Sequence, residues 1–271
     1  MSKYIDNLDY IIKRSFEETI EYFNKNGIKV EDDLELKILE SIRSLIQKYG
    51  KDNVNKKDVG IYDSETKKIY IIKKPIRKFL DRVLINMNEI PINTIFTISN
   101  HKVLWPVYKD DDDIKNIIKK TAVESVVIHE IGHVALRSIG SNDEWKASFV
   151  EYLVYFYKNE LYKYPEVYKI MEKNIKRCEK FIREKNPSPY SLGYCFANDI
   201  IYAYENILNK DKQSPKLNIK SMIEKLKYFS EDDGIKITEM FNALLKDYVN
   251  IKNRLNIKAN MLIYLLEKLL I

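Results

Sequence analysis

The spacing of apolar residues changes character along the chain. In the first fifty residues Ile11-Ile12, Phe16, Ile20 and Tyr22-Phe23 recur every three to four positions, the period of an amphipathic helix. Leu34, Leu36, Ile38-Leu39, Ile42 and Leu45-Ile46 suggest a second helix that stops at Gly50 as its C-cap. From Gly60 the period shortens. Residues 60–72 read as two strands joined by a polar turn at 63–66, and 91–99 with 102–107 read as a second strand pair after a short helix at 76–87. Beyond residue 113 the helical period returns. It predicts helices over 114–138, 143–163, 166–185, 190–209, 219–229, 236–253 and 258–270, with Pro187, Pro189 and Pro215 at the joints. The expectation is an α+β fold, predominantly α-helical. Residues 1–112 form helices and a small antiparallel sheet, and residues 113–271 form a helical subdomain.

Composition changes this picture little. The 271 residues are 45% hydrophobic and 32% charged, which describes an ordinary globular protein with enough chain for a substantial core. The net charge of +6 is spread over 46 basic and 40 acidic side chains. Local clusters at Lys73-Lys74, Arg77-Lys78 and 173–185 read as solvated faces, and without an aromatic-basic or helix-turn-helix signature no nucleic-acid partner is expected. No apolar run is long enough to span a bilayer, and the segment 1–9 lacks the apolar centre of a secretory leader. Cys178 and Cys195 have neither metal-ligand spacing nor the pattern of a disulfide framework. They are expected to be reduced and buried, in a cytoplasmic protein.

The chemistry lies in the helix at 114–138. There His129-Glu130-Ile131-Gly132-His133 places two histidines four residues apart, hence on one helix face. Three histidines occur in the whole chain, and two are used here. Val126-Val127-Ile128 and Val134-Ala135-Leu136 mark the helix as buried, so its imidazoles and carboxylate need partners. A zinc ion would supply one, with Glu130 acting on a water beside it. Histidines satisfied within a helical core are the alternative. Four consecutive aspartates, 110–113, suit a helix N-terminus better than a calcium loop, because the spaced D-x-D-x-D-G pattern is absent. His101, in the strand region, is expected as an exposed loop residue.

A catalytic zinc needs a third protein ligand. The helix after Gly140-Ser141-Asn142 offers Glu144 and Glu151, seven apart and on one face. From the residues alone either could serve. Ser141 and Glu144 also have the spacing of a capping box, and Glu151 could be a surface carboxylate.

His129-Glu130-x-x-His133 with a downstream glutamate resembles the gluzincin class of zinc metallopeptidases. The segment Asn142-Asp143-Glu144-x-x-Ala147-Ser148-Phe149-Val150-Glu151 is similar to the glutamate helix of the aminopeptidase N-like family. With a one-residue shift it also resembles that of oligoendopeptidase F and thimet-type peptidases. The resemblance covers about thirty residues. It implies a zincin-like fold, His129, His133 and Glu144 as zinc ligands, and Glu151 as a supporting or substrate-amine-facing carboxylate. Only ten residues separate His133 from Glu144, fewer than these families usually show, which keeps Glu151 in play. Pro187-Ser188-Pro189-Tyr190-x-x-Gly193-Tyr194 is similar to the tyrosine-bearing helix of the thimet-like enzymes. That likeness implies Tyr190 and Tyr194 as phenols for the substrate carbonyl; packing tyrosines are the plain alternative in a chain with twenty.

The expectation is therefore a zinc-dependent metallopeptidase acting on peptides or a protein, with Glu130 as general base and a strand within 92–99 aligning the substrate. A latent or highly selective regulator, plugged by its own terminal helix at 261–271, is a second reading. A metal-free helical binding protein is a third.

Overall fold

The computed structural model describes residues 7–50, 54, 58–85, 95–98, 101–104, 114–137, 143–182, 188–208, 217–250 and 264. Among the described residues helices dominate, and two small sheets lie in the first half. The chain divides into two compact units, Met1–Ala135 and Leu136–Ile271.

The first unit begins with α1 (Leu8–Lys25), which buries Leu8, Ile12, Phe16 and Phe23 along one stripe. Gly27 ends it. At φ 69° its amide donates to the Asn24 carbonyl and that of Ile28 to Phe23, the paired bonds of a Schellman stop. Residues 34–46, expected as one helix, are instead β1 (Glu35–Leu39) followed by α2 (Arg43–Tyr49). Leu36 and Ile38 belong to a period-two alternation that abuts the helical period of Leu45 and Ile46. The two patterns merge when read without the sheet they join. The polar turn at 63–66 does connect two strands, β2 (Gly60–Asp63) and β3 (Lys68–Ile72).

The sheet order is β1-β3-β2. It is mixed rather than antiparallel. β1 runs parallel to β3 with Glu35 opposite Lys68, and β2 runs antiparallel to it with Gly60 opposite Ile71. Flanked on both sides, β3 carries the continuous buried run Ile69-Tyr70-Ile71-Ile72. Tyr70, Ile72 and Ile61 face α2, packing with Leu45, Ile42 and Ile46. Alternation puts Gly60, Tyr62, Ile69 and Ile71 on the other face.

The hairpin turn is fixed by Asp63, whose carboxylate accepts from the amides of Glu65 and Thr66, the Thr66 hydroxyl and the Tyr49 phenol. These donors hold its pKa well below the usual carboxylate range, against the effect of burial. After α3 (Lys73–Ile85), β4 (Ile95–Ile98) and β5 (His101–Leu104) pair antiparallel. His101 is thus a strand residue, opposite Ile98, not a loop residue. Then comes α4 (Ile114–Arg137), in which every side chain from Thr121 to Leu136 is buried.

In the second unit α5 (Glu144–Lys158) is buried from Trp145 to Phe156 and packs chiefly on α7 (Pro189–Ala203). The amphipathic α6 (Pro165–Ile182) presents Val167, Ile170, Met171, Asn174, Ile175 and Cys178 to α7 and to α9 (Glu231–Asn250). The short α8 (Ile219–Lys225) starts at an Asn218 cap whose side chain accepts from the Ser221 amide. A polar seam runs through this core: Asn174, Asn198, Asp199 and Asn242 are at most 3% exposed and bond to one another or to backbone.

The two cysteines depart from expectation. Cys178 on α6 and Cys195 on α7 form a disulfide, with Cα atoms 5.5 Å apart and both residues fully buried. Seventeen positions apart on successive helices, they meet only because α6 and α7 pack with these faces together. No helix among the described residues is long and apolar enough to cross a membrane. The aspartates at 110–113 lie outside the described residues, as does the terminal helix expected at 258–270 except for Tyr264, which is helical and exposed.

Candidate metal centre

His129 and His133 project from one face of α4, one turn apart. Their rings meet edge to face, with centroids 4.9 Å apart and planes inclined at 78°. Exposures of 1% and 6% leave both imidazoles inside protein rather than water. A neutral imidazole carries an in-plane lone pair that a metal ion can accept.

Glu144 occupies the first helical position of α5, after the N-cap Asp143, whose carbonyl accepts from the amides of Lys146 and Ala147. Asp143 therefore takes the cap position, and Ser141 lies outside the described residues. Glu144 is exposed. His129, His133 and Glu144 each offer one donor atom, and these atoms lie within 4.8 Å of one another. Tetrahedral zinc with bonds near 2.1 Å sets its donors about 3.4 Å apart, so a shift of about 1 Å in long side chains is enough. Two imidazole nitrogens and one carboxylate oxygen are a donor set that zinc accepts while leaving a fourth position open. The three residues could hold a metal ion.

Glu151 lies two turns further along α5, roughly 10 Å from Glu144 along the axis, and is 4% exposed. It is not in the group of described donors that converge with the two histidines. Glu130, between the histidines, is 4% exposed, and its carboxyl group lies against β2: a Cβ built on Gly60 would come within 2.5 Å of Oε1. Motif reading singled out Glu130 but not Gly60. A glycine inside a strand pattern is the available sign of such a close approach.

The two tyrosines part company. Tyr190, in the first turn of α7, is half-buried. Tyr194 is 3% exposed, accepts from the Asn174 side chain, and stacks edge to face on Tyr152 at 4.9 Å between centroids. Burial raises its pKa well above an ordinary phenol. It belongs to the polar seam of the helical core.

No protein-family model matches the chain, and neither a curated protein nor a solved structure matches it. The functional reading rests on the chain's own residues.

Proposed function

We propose that the chain is a zinc-dependent peptidase of gluzincin type with a zincin-like catalytic arrangement. The observation that carries this reading is the convergence of the His129, His133 and Glu144 donor atoms within 4.8 Å, with Glu130 between the two histidines in sequence. Zinc held by these three residues would act as a Lewis acid on a water and on the scissile carbonyl. The Glu130 carboxylate takes the proton from the attacking water and delivers it to the departing amine nitrogen. Burial of Glu130 and both histidines excludes bulk solvent from that transfer and strengthens each electrostatic contact.

The strand suited to hold a peptide is β2, rather than the stretch at 92–99. It is an edge of its sheet, and its first residue touches Glu130. An extended substrate pairing with that edge would lie beside the general base. Tyr194 is left out of this scheme because Asn174 already engages its hydroxyl, and Tyr190 is the phenol offered to the substrate carbonyl.

The test is metal analysis of protein purified without a histidine tag, coupled to hydrolysis of a mixed quenched-peptide pool. About one zinc per chain is expected, with turnover lost on chelation and restored by zinc. Substoichiometric zinc, or turnover that survives chelation, would remove the reading.

A further inference from the structure

We propose that Gly60 is a positioning residue for Glu130: bare backbone at the start of β2 sets where the carboxylate sits. The inference rests on the hydrolytic reading above and extends it to a residue outside the metal-binding motif.

Nothing about the strand's own conformation requires glycine at this position. Gly60 pairs with Ile71 in regular antiparallel register, and it is not among the residues with positive φ. Gly27 and Gly50 differ, since φ values of 69° and 86° account for them by backbone alone. A glycine in a strand pattern can mark the close approach of another group. Here that group is the Glu130 side chain. A Cβ on Gly60 would stand 2.5 Å from Glu130 Oε1, 2.7 Å from Cγ and 2.8 Å from Cδ. All three distances are far inside van der Waals contact, so the strand backbone lies against the whole end of the glutamate and not its tip alone.

What must yield in a Gly60→Ala variant is a side chain with three torsions, not the backbone. The fold can therefore tolerate the methyl group. Glu130 is 4% exposed and has little room to swing into solvent, so it gives way by displacement within the centre. A general base misplaced by about 1 Å costs up to about a hundredfold in rate.

The experiment compares Gly60→Ala with wild type and with Glu130→Gln, each loaded with zinc for kinetics and with cobalt(II) for visible spectroscopy. Expected for Gly60→Ala are unchanged metal stoichiometry, a thermal midpoint within a few degrees, KM within about threefold, and kcat lowered about 10- to 100-fold. Cobalt reports the groups around it, so the Gly60→Ala spectrum should shift away from wild type in the direction of Glu130→Gln. An Ile46→Val control, in the cluster where α2 packs on the far face of the sheet, should leave kcat and spectrum unchanged. A wild-type kcat and spectrum in Gly60→Ala would overturn the proposal, as would loss of metal together with activity. Failure of the wild-type chain to bind zinc or cobalt would instead remove the hydrolytic reading itself, and this inference with it.

Discussion

Gly193 lies so close to α5 that a Cβ in place of its hydrogen would stand 1.9 Å from the carbonyl oxygen of Trp145. The same atom would be 2.8 Å from the Phe149 amide nitrogen and 2.9 Å from the Ser148 Cβ. Here, unlike at Gly60, the obstacle is mainly backbone, and it cannot rotate away. Gly193→Ala must push α7 off α5 or break the helix. The expected cost is about 3 kcal/mol or more, at the upper end of overpacking effects. Urea unfolding of the variant checks this; a midpoint equal to wild type would mean the two helices are further apart than described.

How far the sequence exposed this architecture depended on the range of the interactions. The motif helix was legible because its signals are local: apolar flanks around a four-residue histidine spacing. The β2–β3 hairpin was legible because Asp63 and Thr66 make a turn within four residues. β1 was not, because its partner β3 lies some thirty positions away in parallel register, and nothing near Leu36 announces it. The Cys178–Cys195 bond was missed for a similar reason, since it depends on which faces of α6 and α7 meet. Asn174, Asn198, Asp199 and Asn242 look like surface residues one by one. Their burial follows from mutual hydrogen bonds that a linear reading does not contain.

Glu130→Gln keeps the size of the side chain and the two proposed metal-binding histidines but removes the proposed proton acceptor. Zinc content should match wild type, while kcat should fall by about 10²- to 10⁴-fold, the usual worth of a general base. Paired metal analysis and peptide kinetics measure both quantities. Retained turnover would strip Glu130 of its role.

The two glutamates of α5 should separate in opposite directions. Glu144→Ala removes a proposed zinc donor from an exposed position, so metal affinity should weaken by more than the 10- to 100-fold typical of a supporting residue. Its metal-free stability should change little, since exposed substitutions stay within about 0.5 kcal/mol. Glu151→Ala acts at a buried position roughly 10 Å further on, and should lower metal-free stability while sparing affinity. Competition with a chromophoric chelator and urea unfolding of the apo proteins give both readings. The reverse order of affinities would mean that Glu151 is the ligand.

The disulfide closes a loop of 17 residues between α6 and α7, which by chain entropy contributes about 3 kcal/mol. Cys195→Ser should lose that much, seen as a lower urea midpoint than wild type. With both sulfurs buried, the bond should be detectable only after unfolding. Alkylation in denaturant without reductant should modify no cysteine, and after reduction it should modify two. Two reactive thiols in the unreduced protein would contradict the bond.

Asp199 is the group whose titration should show in stability. It is fully buried and accepts from Asn198 and Asn242, each at 3.1 Å. Burial nevertheless pushes its pKa up to about 7, the two amide donors only partly offsetting it. Tyr152 on α5 and Tyr194 on α7 are its titratable neighbours, and burial keeps both protonated. In the unfolded chain an aspartate ionises near pH 3.9. Between about pH 4 and pH 7 the folded protein therefore holds a proton that the unfolded chain has released. Stability must fall as pH rises through that window and level off above it, by up to about 4 kcal/mol. Asp63, with its pKa depressed, acts oppositely and only below pH 4, so the two effects do not overlap. Urea unfolding of wild type and Asp199→Asn at pH 5 and pH 8 isolates the contribution, because every other titratable group is common to both proteins. The wild type should lose more stability than the variant between the two pH values. Equal losses would mean that the carboxyl group is ionised throughout and that its amide partners outweigh its burial.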